Sequence, residues 1–137
     1  MSPDHTGQIE DFFADFDQAS TQQNWTRYGD MFLPDFMNLD PATATPLARD
    51  TLIAFLPRRK EVFDRAGATG TRLANLQVQT LDATHALART RWDVVFDHDH
   101  PPATLDATFL LRHDDRWRIA VYLNHHSLPA LLAGSTP

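Results

Sequence analysis

Seven histidines and one aspartate set before proline are the side chains of this 137-residue chain best suited to chemistry, and their grouping narrows what that chemistry can be. His98-Asp99-His100 runs into Pro101-Pro102 at a loop tip, His113 adjoins a polar turn, and His125-His126-Ser127 closes an apolar run. Zinc requires three or four ligands converging at about 2 Å, and no third ligand stands beside the His-x-His pair, so no metal site is assigned. His126 with Ser127 and a remote carboxylate has the ingredients of a hydrolytic triad, but no nucleophile-elbow motif accompanies it. The chain has no cysteine, which excludes disulfides, thiolate metal sites and a cysteine nucleophile. Asp40 precedes Pro41, a setting in which aspartate commonly initiates a turn by accepting local backbone hydrogen bonds. In an apolar pocket the same carboxylate can take a proton from a carbon beside a carbonyl, provided that its pKa is raised and donors stabilise the enolate.

Charge and length limit the partners. Lys and Arg number 12 against 18 Asp and Glu, a net charge of −6, which disfavours binding a phosphate backbone and leaves nucleic acid out. Arg58-Arg59-Lys60 is the one basic run, and within a predicted helix it reads as a solvated face. No apolar run approaches the roughly 18 residues that span a bilayer, and the residues from Met1 to Gln8 lack the basic and apolar regions of a secretory signal. The expectation is a cytoplasmic protein without a membrane partner. The length suits one domain over residues 1–137, with an ordered core from about 8 to about 128 and mobile ends.

The elements that position these residues follow from periodicity. Ile9, Phe12, Phe13 and Phe16 recur at helical spacing, predicting an amphipathic helix from Gln8 to about Gln23 with Thr6 as cap. A shorter helix runs from Trp25 to Leu33, ending before Pro34. Phe36 to Asp40 then extends, and Ala42 to Leu47 returns as a short edge strand or loop. A third helix opened by Asp50 or Arg49 runs toward Ala66 and turns Leu52, Phe55, Leu56, Val62 and Phe63 inward, kinked or divided at Pro57. Gly67 and Gly70 close the helical section. Four long strands follow: Arg72 to Leu81, His85 to Asp97, Thr104 to His113, and Trp117 to about His125. Alternation buries the even residues of the second long strand and the odd residues of the third. In the last strand Trp117, Ile119, Val121 and Leu123 form one apolar face, yet Ala120, Tyr122 and Asn124 opposite are not obvious surface residues. Both faces are therefore expected to be covered, one of them by a second copy of the chain.

Three helices followed by four long antiparallel strands, the last opened by Trp117-Arg118-Ile119, resemble the nuclear transport factor 2-like superfamily from Gln8 to Ser127. The resemblance implies an α+β cone: three N-terminal helices packed in a strongly curved, mainly antiparallel sheet, with a pocket at the wide end and a homodimer through the sheet's outer face. The superfamily holds ketosteroid isomerases, SnoaL-like polyketide cyclases, dehydratases, epoxide hydrolases and members without catalysis, so the fold leaves function open. Asp40-Pro41 looks like the isomerase segment carrying the general base. Phe16 and Phe32 stand where the isomerases place tyrosines, and Phe109 where they place a neutral aspartic acid; phenylalanine cannot donate to an oxyanion. The resemblance and the aromatic content together predict a mostly apolar pocket lined by Phe16, Phe32, Phe55, Trp92, Phe109, Tyr122 and Asn124, binding a small apolar or aromatic molecule without a cofactor. Asp40 and His126 are the catalytic candidates of the alternative, an acid–base isomerase, cyclase or dehydratase. A third reading is a dimerisation module whose cone the aromatics fill completely.

Overall fold

The computed structural model describes residues 4–126. Helix α1 (Thr6–Thr21) begins two residues earlier than its apolar spacing predicts, and Thr6 is not its cap. Asp4 accepts from both the Thr6 amide at 3.0 Å and the Thr6 hydroxyl at 2.7 Å, satisfying a free N–H of the first turn. Ile9, Phe12, Phe13, Phe16 and Ala19 form the buried stripe. Gln23, with φ of 56°, breaks the chain before α2 (Trp25–Asp30), whose first turn is capped by the Asn24 side chain accepting from Arg27 N.

α2 ends at Asp30 rather than Leu33, and strand β1 (Phe32–Leu39) starts well before Phe36. The residue before proline avoids the helical region, so Leu33 must already be extended. Pro34 then sits where the pairing of β1 slips between Phe32 and Met37, a bulge that tolerates its missing N–H. Arg49 donates to the Phe32 carbonyl from two nitrogens and satisfies an acceptor that the bulge leaves free. Strand β2 (Ala44–Ala48) is the sheet edge, and α3 (Arg49–Arg65) follows directly. α3 runs through Pro57 as one helix, not two pieces. The proline costs about 3 kcal/mol in a helix interior, and burial of Leu56 and Phe63 on either side of it offsets that cost.

Gly67 ends α3 in the left-handed region at φ of 72°, and β3 (Ala68–Thr80) begins at once, four residues before its expected start. Strands β4 (His85–Phe96), β5 (Thr104–His113) and β6 (Trp117–Asn124) complete a six-stranded sheet in the order β2-β1-β6-β5-β4-β3. Only β1 and β6 are parallel; the remaining pairs are antiparallel. Register slips in β1, β3 and β6 bend the sheet around the helices. The α+β cone predicted above is the observed architecture.

As the alternation predicts, Ala86, Ala88, Thr90, Trp92 and Val94 of β4 and Leu105, Ala107, Phe109 and Leu111 of β5 are buried against the helices. The last strand departs from simple alternation. Leu111 pairs with Ile119 but Leu110 pairs with Val121, so Ala120 is an extra residue and the two faces exchange beyond it. Trp117 and Ile119 face the helices before this bulge; Tyr122 and Asn124 do so after it, paired with Phe109 and Ala107. Val121 and Leu123 are turned to the outer face. One shifted residue thus places two polar side chains inside the cone.

Candidate functional site

The narrow part of the cone is filled by rings. Phe16 stacks on Tyr28 with centroids 4.5 Å apart and meets Phe13, Phe32, Phe109 and Trp92 at centroid separations of 5.8–6.2 Å. The Trp92 indole donates to Thr90 Oγ1 at 2.8 Å, and that hydroxyl donates to the Ala107 carbonyl at 3.0 Å, so the buried polar atoms are satisfied. Among Phe16, Trp92, Phe109, Tyr122 and Asn124 there remains a void of about 20 Å³, too small for anything beyond a single water. Phe32 lines neither this void nor the wide cavity: it is fully buried, its ring centroid 4.6 Å from that of Phe36, and belongs to the core rather than to the pocket wall.

The wide part is open. A cavity of about 350 Å³ lies between α3, β1 and the end of β6, with an apolar wall that includes Phe36, Leu47, Leu52, Phe55, Leu56 and Val62. Phe55 is 53% exposed and borders the mouth instead of packing inward. It lies one residue, about 100° of helix, from Leu56 at the centre of the buried stripe. Tyr122, Asn124, Asp40 and His126 line the same cavity. It therefore gathers both catalytic candidates and three of the seven predicted binding residues; Phe16, Trp92 and Phe109 stand one layer deeper.

Asp40 does not have the environment expected of a general base. Its Oδ1 accepts from the backbone N–H groups of Ala42 and Thr43, both at 2.8 Å, which is the turn-initiating arrangement. The Ala42 bond, then that of Thr43, holds its pKa below the ordinary aspartate value, whereas a base needs it raised. His126 has a carboxylate partner: its Nε2 lies 3.3 Å from Asp106 Oδ2, and Asp106 also accepts from Arg91 Nε at 3.0 Å. Arg91 first, with His126 adding to it, lowers the Asp106 pKa against a smaller opposing effect of burial. Ser127 lies outside the described residues. Of the other histidines, His98 contacts Asp97 and His100 stacks on Phe96, away from this cavity.

Sequence reasoning missed the site's one arginine. Arg59 belongs to the run read as a solvated face, yet it lines both the narrow void and the wide cavity. Leu52, Leu56, Arg59 and Phe63 follow at steps of four, three and four, the spacing of one helix face, and that rhythm was the available signal. Arg59 Nη1 donates to the Tyr28 hydroxyl at 3.3 Å, and its guanidinium lies 5.5 Å from the centre of the Phe63 ring. Tyr122 acts on the same guanidinium. Burial pushes the Tyr28 pKa up to about 12, with Arg59 opposing, so the phenol stays protonated. The side chains with N–H or O–H donors that border these cavities include Arg59, Tyr28, Tyr122 and Asn124.

The family model for NTF2-like protein (DUF6841) matches residues 5–127, and the chain belongs to that family. Its fold is that of an NTF-2 like protein of unknown function from Shewanella oneidensis MR-1, at 18% identity and a TM-score of 0.71 over 88% of this chain and 98% of that one. An NTF2-like protein with a cystatin-like fold from Novosphingobium aromaticivorans is 14% identical, with a TM-score of 0.72 over 96% of this chain and 89% of that one. A ketosteroid isomerase-like protein from Erwinia carotovora atroseptica is 18% identical, with a TM-score of 0.67 over 89% and 95%. No curated protein matches the chain. At these identities the likeness is one of fold.

Proposed function

We propose that this NTF2-like chain is a small-molecule-binding domain whose ligand occupies the cavity between α3, β1 and the end of β6. The observation that carries this reading is the cavity itself: about 350 Å³, apolar along α3 and β1, with polar groups gathered near Arg59. A pocket of that size with few polar groups is the usual form of a small-molecule site. It also weighs against a purely structural module, since the rings fill the narrow end and leave the wide end open. A thermal-shift screen tests the reading, because a ligand that binds the native state raises its apparent stability. Small molecules with an apolar or aromatic body should stabilise the protein, and sugars and nucleotides should not; the reverse pattern overturns it.

Acid–base catalysis is favoured by one observation: His126, which lines the cavity, contacts Asp106 on the outer face of β5. On that reading His126 is the base, Asp106 orients its ring, and Arg59 with the two tyrosines stabilises developing negative charge. His126→Gln would then abolish turnover of any substrate found, while Asp40→Asn would not.

The same reading includes a homodimer through the outer sheet face. Leu87, Leu110, Val121 and Met37 are register partners across β4, β5, β6 and β1, an apolar row over four strands of the face turned away from the helices. Met37 is 37% exposed and the other three are half-buried. Such a row favours a covering partner. Light scattering should give twice the chain mass, and Val121→Asp should give the single mass; a wild-type monomer at micromolar concentration removes this part of the reading.

A further inference from the structure

Among the described residues neither Arg59 nor its neighbour Arg58 pairs with an acid, but Arg58 is exposed whereas Arg59 is half-buried and lines the cavity. Arg49 on the same helix reaches Asp30 at 3.6 Å, and the next residue, Lys60, pairs with Asp64. Among the described residues no carboxylate forms an ion pair with Arg59. The Tyr28 hydroxyl accepts from it at 3.3 Å and Tyr122 also acts on it, two neutral phenols against the five N–H donors of a guanidinium. None of its nitrogens is a sealed, partnerless atom, and the residue borders both the narrow void and the wide cavity. A charge in a largely apolar site is costly unless it is paired. Here the charge is also held in place, by the Phe63 ring on one side and Tyr28 on the other.

The cavity around this cation limits what can pair with it. Its volume of about 350 Å³ corresponds to roughly a dozen waters at ~30 Å³ each, hence to a molecule of about that many non-hydrogen atoms. Leu52, Phe55 and Val62 offer its body hydrocarbon. Arg59 is the single lysine or arginine lining the cavity, and Asp40 at the rim is ionised, so one negative charge is accommodated better than two. The planar fork of a guanidinium matches a carboxylate through two parallel hydrogen bonds. Tyr28, whose phenol keeps its proton, and Asn124 add neutral donors beside it.

We infer that the ligand is an amphiphilic monocarboxylate, its carboxylate seated on Arg59 and its apolar body lying along Leu52, Phe55 and Val62. This rests on the small-molecule reading above and names the ligand class of that same site. An aromatic and an aliphatic acid present the same head chemistry, and the two are separable by their bodies.

Isothermal titration calorimetry with 4-phenylbutanoate, its neutral amide 4-phenylbutanamide, and decanoate tests the inference on the full chain. The acid should bind at least tenfold more tightly than the amide, and Arg59→Gln should bring the two within twofold. Arg59→Lys, which keeps charge but not the fork, should retain part of the difference. Should Arg59→Gln fail to fold, the wild-type ratio of acid to amide still decides. Tighter binding of decanoate than of 4-phenylbutanoate marks an alkyl body, the opposite order an aryl one, and either order supports the inference provided that the acid outbinds its amide. Equal binding of acid and amide overturns the carboxylate head while leaving the apolar pocket standing. Binding of none of the three overturns both.

Discussion

Arg59 of α3 donates from Nη1 to the Tyr28 hydroxyl of α2 at 3.3 Å, joining the two helices at the boundary between the packed and the open parts of the cone. Tyr28→Phe keeps the ring that stacks on Phe16 and removes the acceptor for Arg59. A hydrogen bond to a charged group contributes about 1.5–3 kcal/mol. Urea denaturation should accordingly show a loss toward the lower end of that range, since one contact of 3.3 Å is long, with an unchanged m-value. Loss of affinity for 4-phenylbutanoate should accompany it.

Asp40→Asn should leave ligand affinity within twofold of wild type, because asparagine retains the oxygen that accepts from Ala42 and Thr43. Asp40→Ala removes the acceptor and should lower Tm. The Asp40 pKa is depressed in the folded protein, so its contribution to stability is present above the ordinary aspartate value and disappears as pH falls through the folded one. The Tm difference between wild type and Asp40→Ala should therefore narrow in strong acid. A tenfold loss of affinity in Asp40→Asn would show that the carboxylate touches the ligand.

The opposite sign holds for Asp17. Burial raises its pKa, the Leu73 backbone N–H opposes the shift, and its Oδ1 is buried without a hydrogen-bond partner. An acid with a raised folded pKa binds its proton more tightly when folded, so stability falls as pH climbs from the unfolded value through the folded one. Asp17→Asn should raise Tm at pH 7, and the gain should vanish below about pH 4, where the unfolded carboxylate is also protonated. A Tm difference that does not change with pH would contradict this.

Gly67 ends α3 at φ of 72°, where an added Cβ would stand 2.4 Å from Cε1 of His98. The left-handed conformation costs an L-residue roughly 1–2 kcal/mol. Gly67→Ala should lose at least that amount by urea denaturation, with ligand affinity intact, and Gly67→Ala combined with His98→Ala should recover only the part due to the clash.

How far the sequence disclosed this molecule depended on whether local spacing decided the outcome. β4 and β5 were legible because each inward residue is two from the next, and the Phe12-Phe13-Phe16 stripe because helical spacing persists over α1. The single extra residue at Ala120 left no mark in the composition, yet it reversed the faces of β6 and brought Tyr122 and Asn124 inside. The end of α2 was misplaced because Pro34 constrains the residue before it, and the last helical turn must finish before that residue. Arg59 was obscured by its neighbours: Arg58 and Lys60 make the run look solvated, while its position three residues beyond Leu56 turns it toward the core.

The most direct measurement is NMR chemical-shift mapping of the ¹⁵N-labelled protein titrated with 4-phenylbutanoate, following backbone amides and the arginine Nε–Hε signals. Binding in the cone predicts that the Arg59 side-chain signal shifts together with the amides of Asn38, Leu52, Phe55, Tyr122 and Asn124, all residues lining the cavity. Shifts confined to the outer row of Leu87, Leu110, Val121 and Met37, with the Arg59 signal unmoved at saturation, would contradict the account.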